Sequence, residues 1–258
     1  MALGGNEVPT VPAATSGDLG VRHWPQFDAA RPLLLVPVGA TEQHGPHLPL
    51  ATDTMVAEAV ARATCDRLRG AGVAVTVAPA VAYGASGEHE AFPGTVSVGH
   101  DALRVLLVEY GRSACRWAGG VVFVSGHGGN VASLIEAVER LRYEERPVAW
   151  TACAPTDGDA HAGRTETSLL LHLAPETVAL DRSEPGSTAP FADLLPALRR
   201  DGVRAVSANG VLGDPAGAST AEGARLFDAL VDGVSAAVDR LVADWGLGPT
   251  GAGDGDLP

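Results

Sequence analysis

The chain has no lysine: all 18 of its basic residues are arginine, against 31 acids, for a formal net charge of −13. Catalysis through a lysine Schiff base, pyridoxal chemistry included, is thereby excluded. The acidic excess argues against nucleic acid and anionic membranes as partners, since both would repel it. Aromatic residues are only 5% of the chain. No apolar run reaches the roughly 18 residues of a membrane span. The N-terminus has neither the basic nor the apolar region of a secretory signal, so the expected location is cytoplasmic. Cys65, Cys115 and Cys153 are odd in number, widely spaced and set among apolar residues, which suits buried free thiols better than disulfides or a cysteine zinc site. There is no P-loop either, because the glycines of 126–129 lack the lysine of a phosphate cradle.

What is present is enough apolar material, 46% of 258 residues, to bury one full core. Strand-like runs at 33–38, 73–78, 121–124 and 148–152 alternate with helical patterns at about 53–70, 101–117, 131–145 and 165–174. That alternation predicts an α/β fold in one domain over 17–245, with a mainly parallel β-sheet and helices on both faces. A long amphipathic pattern over 221–245 reads as a closing helix that packs on the sheet or forms a subunit contact. Residues 1–16 and 246–258 lack periodicity and read as disordered tails.

Three clusters carry chemistry, each where a strand hands over to a helix. In Thr41-Glu42-Gln43-His44-Gly45-Pro46-His47 and on to Asp53, Glu42 and His44 are two apart and project to one side of an extended chain. Asp53 opens a helical pattern, where a carboxylate is favoured as the anion. Carboxylate oxygens with imidazole suit zinc, iron or manganese better than calcium. The plainer alternative is a polar loop whose acids cap a helix. The second cluster, Ser125-Gly126-His127-Gly128-Gly129-Asn130, lets backbone approach a ligand and could offer amides to a developing oxyanion. A structural turn explains such glycines equally well. The third, His161-Ala162-Gly163-Arg164-Thr165-Glu166-Thr167, is also compatible with ordinary helix capping.

Taken together, the clusters resemble the creatininase family, whose signatures look like Glu-x-His-Gly-x-His-Leu-Pro with a later Asp, then Gly-His-Gly-Gly-Asn, then His-Ala-Gly-x-x-Glu-Thr. The loop Gly84 to Thr95 is similar to the family's substrate-side loop. The resemblance implies a dinuclear metal-dependent hydrolase of C–N bonds, usually homo-oligomeric, with two divalent ions per subunit: zinc, iron or both, with manganese possible. Carried over, Glu42 and His127 would hold one ion, His44 and Glu166 the other, and Asp53 would bridge them. The ions would share a hydroxide as nucleophile. His161 would be the proton shuttle, with Glu166 also at the catalytic centre. Ser86, His89, Gly128, Gly129, Asn130 and Arg164 are candidates for substrate contact, Arg164 toward an acidic group. His47 is a supporting candidate beside His89, while His23, His100 and His172 read as structural or surface residues.

Within the family, members that act on creatinine carry an aromatic residue and a glutamate after the second-cluster histidine, where this chain has Gly128-Gly129. They also carry a tryptophan four residues before the shuttle, where this chain has Asp157. Creatinine is therefore not the expected substrate. The glycine pair resembles a branch that includes a formamide hydrolase and a peptidase acting on a short, modified, ribosomally made precursor peptide, and the arginine-only composition, typical of a high-GC bacterial genome, favours the peptidase. The expected reaction releases its C-terminal Val-Tyr unit. Hydrolysis of a small cyclic amide or formamide is the alternative.

Overall fold

The computed structural model describes residues 17–28, 30–155 and 158–248; the expected tails, apart from residues 246–248, and Asp157 lie outside them. Four parallel strands form its centre: β1 (Leu33–Val38), β2 (Val75–Val77), β3 (Gly120–Ser125) and β4 (Val148–Ala152), in the order β2-β1-β3-β4. Around them lie α1 (Thr52–Gly70), α2 (Gly99–Ala114), α3 (Val131–Tyr143), α4 (Arg164–Leu173), α5 (Phe191–Asp201) and α6 (Thr220–Asp244).

The strands are apolar on both faces because both are covered. Leu33 and Leu35 join Val122 and Val124 in a cluster with Val60 of α1, Leu169 of α4 and Val238 of α6. Leu34, Val36 and Val38 join Val121 and Phe123 against Leu103 and Leu107 of α2 and Leu134 and Leu141 of α3. A period-two strand between two helical layers must read as a continuous hydrophobic run, as these do. The closing helix α6 packs on the sheet-facing core, burying Leu230, Val234, Val238 and Val242. Its start is capped by Ser219, whose hydroxyl accepts from the Glu222 amide at 3.2 Å.

The expected elements are found within a few residues of their bounds, with two corrections. The helix α5 was not expected; it contains Pro196 and buries only Leu198, so neither propensity nor a broad apolar stripe marks it in the sequence. The packed chain also reaches past the expected 246 boundary, because Leu247 packs against the core and its amide donates to Val242 O at 2.9 Å. Cys65 and Cys153 are buried as expected, Cys115 partly so.

The strand order sets the site. The chain steps from β1 to β2 on one side and then crosses to β3 on the other. Connections leaving the carboxyl ends of β1 and β3 diverge there and open the crevice in which open α/β sheets bind ligands.

Candidate metal centre

The three clusters meet in that crevice. Glu42 and His44 follow β1, His127 follows β3, Asp53 sits in the first turn of α1, and Glu166 in the first turn of α4. Close packing brings α1 against the end of β3: a Cβ at Gly126 would collide with the Asp53 carbonyl. Only glycine there lets the Asp53 carboxylate reach both strands' ligands. Its Oδ1 lies 3.0 Å from His44 Nε2 and its Oδ2 3.2 Å from His127 Nδ1. Glu42 Oε2 is 3.2 Å from His127 Nε2, and Glu166 Oε2 is 3.9 Å from His44 Nε2. Glu166 accepts from the Ala162 amide at 2.6 Å. Ala162 takes the left-handed conformation, φ 52°, a strained choice for a side chain bearing a Cβ and one often seen at functional sites.

These donors form two overlapping triads able to hold an ion, Glu42-Asp53-His127 and His44-Asp53-Glu166, sharing Asp53; His161 joins Glu42 and His44 in a third. Both oxygens of Glu42 and Oδ2 of Asp53 are buried without a hydrogen-bond donor. Glu42 is fully buried, Asp53 is 3% exposed. Buried anionic oxygens in that state are costly unless a cation compensates them. The donor set therefore fits divalent metal ions, with oxygen and nitrogen ligands suited to zinc, iron or manganese.

The electrostatics of the bare cluster say the same. Burial pushes Glu42 up to about 8, only partly opposed by His127. Burial disfavours the imidazolium of His44, yet Asp53, Glu166 and Glu42 outweigh it and raise the group to about 10. His127 is likewise disfavoured by burial and lifted to about 10 by Glu42 and Asp53. Burial raises Glu166 in spite of His44. Burial would raise Asp53 too, but His44 and His127 hold it far below the carboxylate range. Protons on His44 and His127 thus occupy the place that cations would take.

A cavity of about 1110 Å³ opens over the cluster. Glu42, Asp53, His127, His161 and Glu166 reach it, and its far wall is α5 with the turn after it. Of the substrate candidates, His89, Gly128 and Gly129 line it, and Ser86, Asn130 and Arg164 do not. Ser86 is fully buried beneath. Asn130 is spent on backbone, accepting from Ala85 N at 2.9 Å and donating to Gly39 O at 3.0 Å. The Arg164 guanidinium, expected to meet an acidic substrate group, donates to Glu222 of α6 at 2.7 Å. His47 sits behind the cluster, 2.9 Å from Thr167 Oγ1. His23 is exposed and His172 stacks near Phe227, as expected, whereas His100 reaches the cavity wall.

Two residues escaped the sequence reading. Glu88 places Oε1 3.7 Å from His127 Nε2, where a side chain on residue 129 would collide with it. Gln43 lies buried between His89 and His161. Its position between Glu42 and His44 was the available signal, masked because a strand neighbour is expected to face the other way.

The comparisons agree with this geometry. The family model described as creatinine amidohydrolase matches residues 22–238. The chain is 54% identical over 239 residues to the mycofactocin precursor peptide peptidase of Mycobacterium ulcerans, covering 91% of this chain and 94% of that one. It is 54% identical over 227 residues to the same-named protein of Mycolicibacterium smegmatis, covering 88% and 92%. This is the branch expected from Gly128-Gly129 taken with the arginine-only composition. Among solved structures, a mutant creatininase of Zn-Zn type superposes with a TM-score of 0.73 at 27% identity, covering 88% of this chain and 98% of that one. A structure called creatininase Mn gives 0.74 at 27% identity with the same coverage. With its fold, its order of signatures and this cluster in place, the chain belongs to the creatininase family.

Proposed function

We propose that the protein is a metal-dependent peptide hydrolase that cleaves the modified mycofactocin precursor peptide and releases its C-terminal Val-Tyr-derived unit. The observation that carries the hydrolytic part is the pair of triads sharing Asp53 at the floor of a large cavity. The substrate part is supported by the relatives' names and by Gly128, beside which a Cβ would meet open space. That leaves room for a peptide where a bulkier pair would close the cavity.

Glu42 and His127 would hold one ion, His44 and Glu166 the other, with Asp53 between them. Bound divalent ions bring the pKa of a coordinated water to about 7 and polarise a carbonyl. The chain does the rest. Gly128 and Gly129, at the approach to α3, let the scissile peptide lie against backbone whose amides face developing negative charge. Glu166, 24% exposed, meets the substrate side of the cluster. His161 is held well below the ordinary imidazole range by burial, helped in the metal-free cluster by the charge of His44. It is the group placed to carry a proton to the leaving amine. Subunits are expected to assemble as a homo-oligomer. No described helix is long and apolar enough to cross a membrane.

The test joins metal analysis of purified protein with mass spectrometry of a modified peptide ending in Val-Tyr, with creatinine and a formamide as controls. Metal-dependent release of the C-terminal fragment is expected. Bound metal with turnover of the small amides alone would overturn the substrate, and a metal-free active protein would overturn the centre.

A further inference from the structure

Gln43 contacts four groups at once, and their polarities leave one arrangement of hydrogens. The orientation of its carboxamide follows from two backbone groups that cannot change role. Gly45 N–H can only donate and lies 2.8 Å from Oε1; Gly210 C=O can only accept and lies 3.1 Å from Nε2. Flipping the amide would set donor against donor and acceptor against acceptor. The backbone carbonyl of Gln43 lies 2.8 Å from His161 Nε2, and since a carbonyl oxygen only accepts, that ring nitrogen carries hydrogen. The two hydrogens of the Gln43 amide then go to the two acceptors left, Gly210 O and His89 Nδ1, the latter at 2.8 Å. The 3.0 Å approach of Gln43 Nε2 to His161 Nε2 is a contact without a hydrogen between them. With Nδ1 accepting, His89 holds its hydrogen on Nε2, 3.3 Å from Glu42 Oε1.

We infer that Gln43 is a positioning residue that sets two imidazoles at once: His89 as the form that turns Nε2–H toward Glu42, and His161 as the form that turns Nδ1 toward the cluster. His161 Nδ1 lies 3.9 Å from Glu42 Oε1 and is the ring nitrogen left to exchange a proton with substrate. One amide therefore orients a proposed metal ligand through His89 and aims the proposed shuttle through its own carbonyl. Support of this kind is typically worth about 10–100-fold in activity or metal affinity. The seat is built to fit. A Cβ at Gly210, which has φ 85°, would overlap the Gln43 carboxamide, so the loop after α5 is held at glycine to admit it.

The inference rests on the hydrolytic reading for what His161 does, but not for where the hydrogens are. The experiment is long-range proton–nitrogen NMR of ¹⁵N-histidine-labelled full-length protein, zinc-loaded and zinc-stripped, with His89 and His161 assigned by single substitution. Wild type should show hydrogen on Nε2 of both rings in the stripped protein, and on His89 Nε2 when loaded. Hydrogen on His89 Nδ1 overturns the inference without any variant having to fold. In Gln43→Glu, where both side-chain oxygens accept, His89 should gain hydrogen on Nδ1 while His161 keeps Nε2–H, and peptide turnover should fall 10–100-fold in kcat with KM little changed. An unaltered His89 signal in that variant refutes the role of the side chain. Correct tautomers in a protein that turns over no peptide would leave this inference standing and remove the proposed substrate.

Discussion

Removing the Asp53 carboxylate tests the shared position directly. Its two oxygens lie 3.0 Å from His44 and 3.2 Å from His127, and the side chain is 3% exposed. Asp53→Ala leaves two imidazoles, each raised to about 10 by their carboxylate partners, without the charge nearest to both. Breaking a buried pair by deleting one partner costs about 3–5 kcal/mol. For a domain of this size each kcal/mol lowers Tm by about 2–4 °C, so the metal-free variant should melt on the order of 10 °C below metal-free wild type. Because Asp53 is common to both triads, the variant should also bind metal more weakly and lose at least the second ion. Calorimetry of both metal-free proteins and metal analysis after gel filtration read these quantities. Two ions per chain retained at wild-type affinity would refute the bridging assignment. An unchanged melting temperature would refute the electrostatic argument by itself.

Other consequences follow from the same geometry. His161→Ala should keep its metal and lose turnover by about 10²–10⁴-fold, the usual worth of a positioned proton transfer; full activity in steady-state assay would remove His161 from the reaction. Metal-free protein should lose stability as pH rises from about 6.5 to about 10. Folded His44 and His127 keep protons up to about 10 and Glu42 up to about 8, which the unfolded chain releases lower, so the folded state binds more protons throughout that window. Asp53, held far below the window, titrates in neither state there; His47, His89 and His161, lowered in the folded state, keep protons near pH 6.5 only when unfolded and so offset part of the effect at the lower edge of the window. A Tm that rises between those pH values, measured with chelator present, would contradict this, and metal loading should flatten the dependence. Arg164→Ala should leave the KM for the peptide unchanged, because its guanidinium is engaged with Glu222 in an exposed pair worth about 0–1 kcal/mol. A raised KM would return Arg164 to the substrate site.

The five proposed ligands and their order along the chain were legible because each sits where a short apolar run gives way to a helical pattern, and such junctions are local. So were the four strands, whose apolar runs need no knowledge of their neighbours. Strand order was not legible: nothing in the run at 121–124 says that it pairs with β1 and leaves β2 at the edge. The pairing brings His127 beside Glu42 and Asp53, and it depends on the sheet pairing residues 87 positions apart, as Val38 with Ser125. The fates of Arg164, Asn130 and Ser86 were equally hidden, because what they bond, Glu222 or the backbone of Gly39 and Ala85, lies far away in sequence. Gln43 is the sharpest case. Its neighbours identify it as part of a ligand loop, but its work depends on Gly210, His89 and His161, which only folding brings within hydrogen-bond reach. Sequence alone determined which atoms can bind metal and which secondary structure carries them, since those follow from side-chain chemistry and local periodicity. The tertiary structure decided which donors share an ion site, which imidazole nitrogen faces it and how large a cavity lies above, because hydrogen bonds and packing act through space and not along the chain.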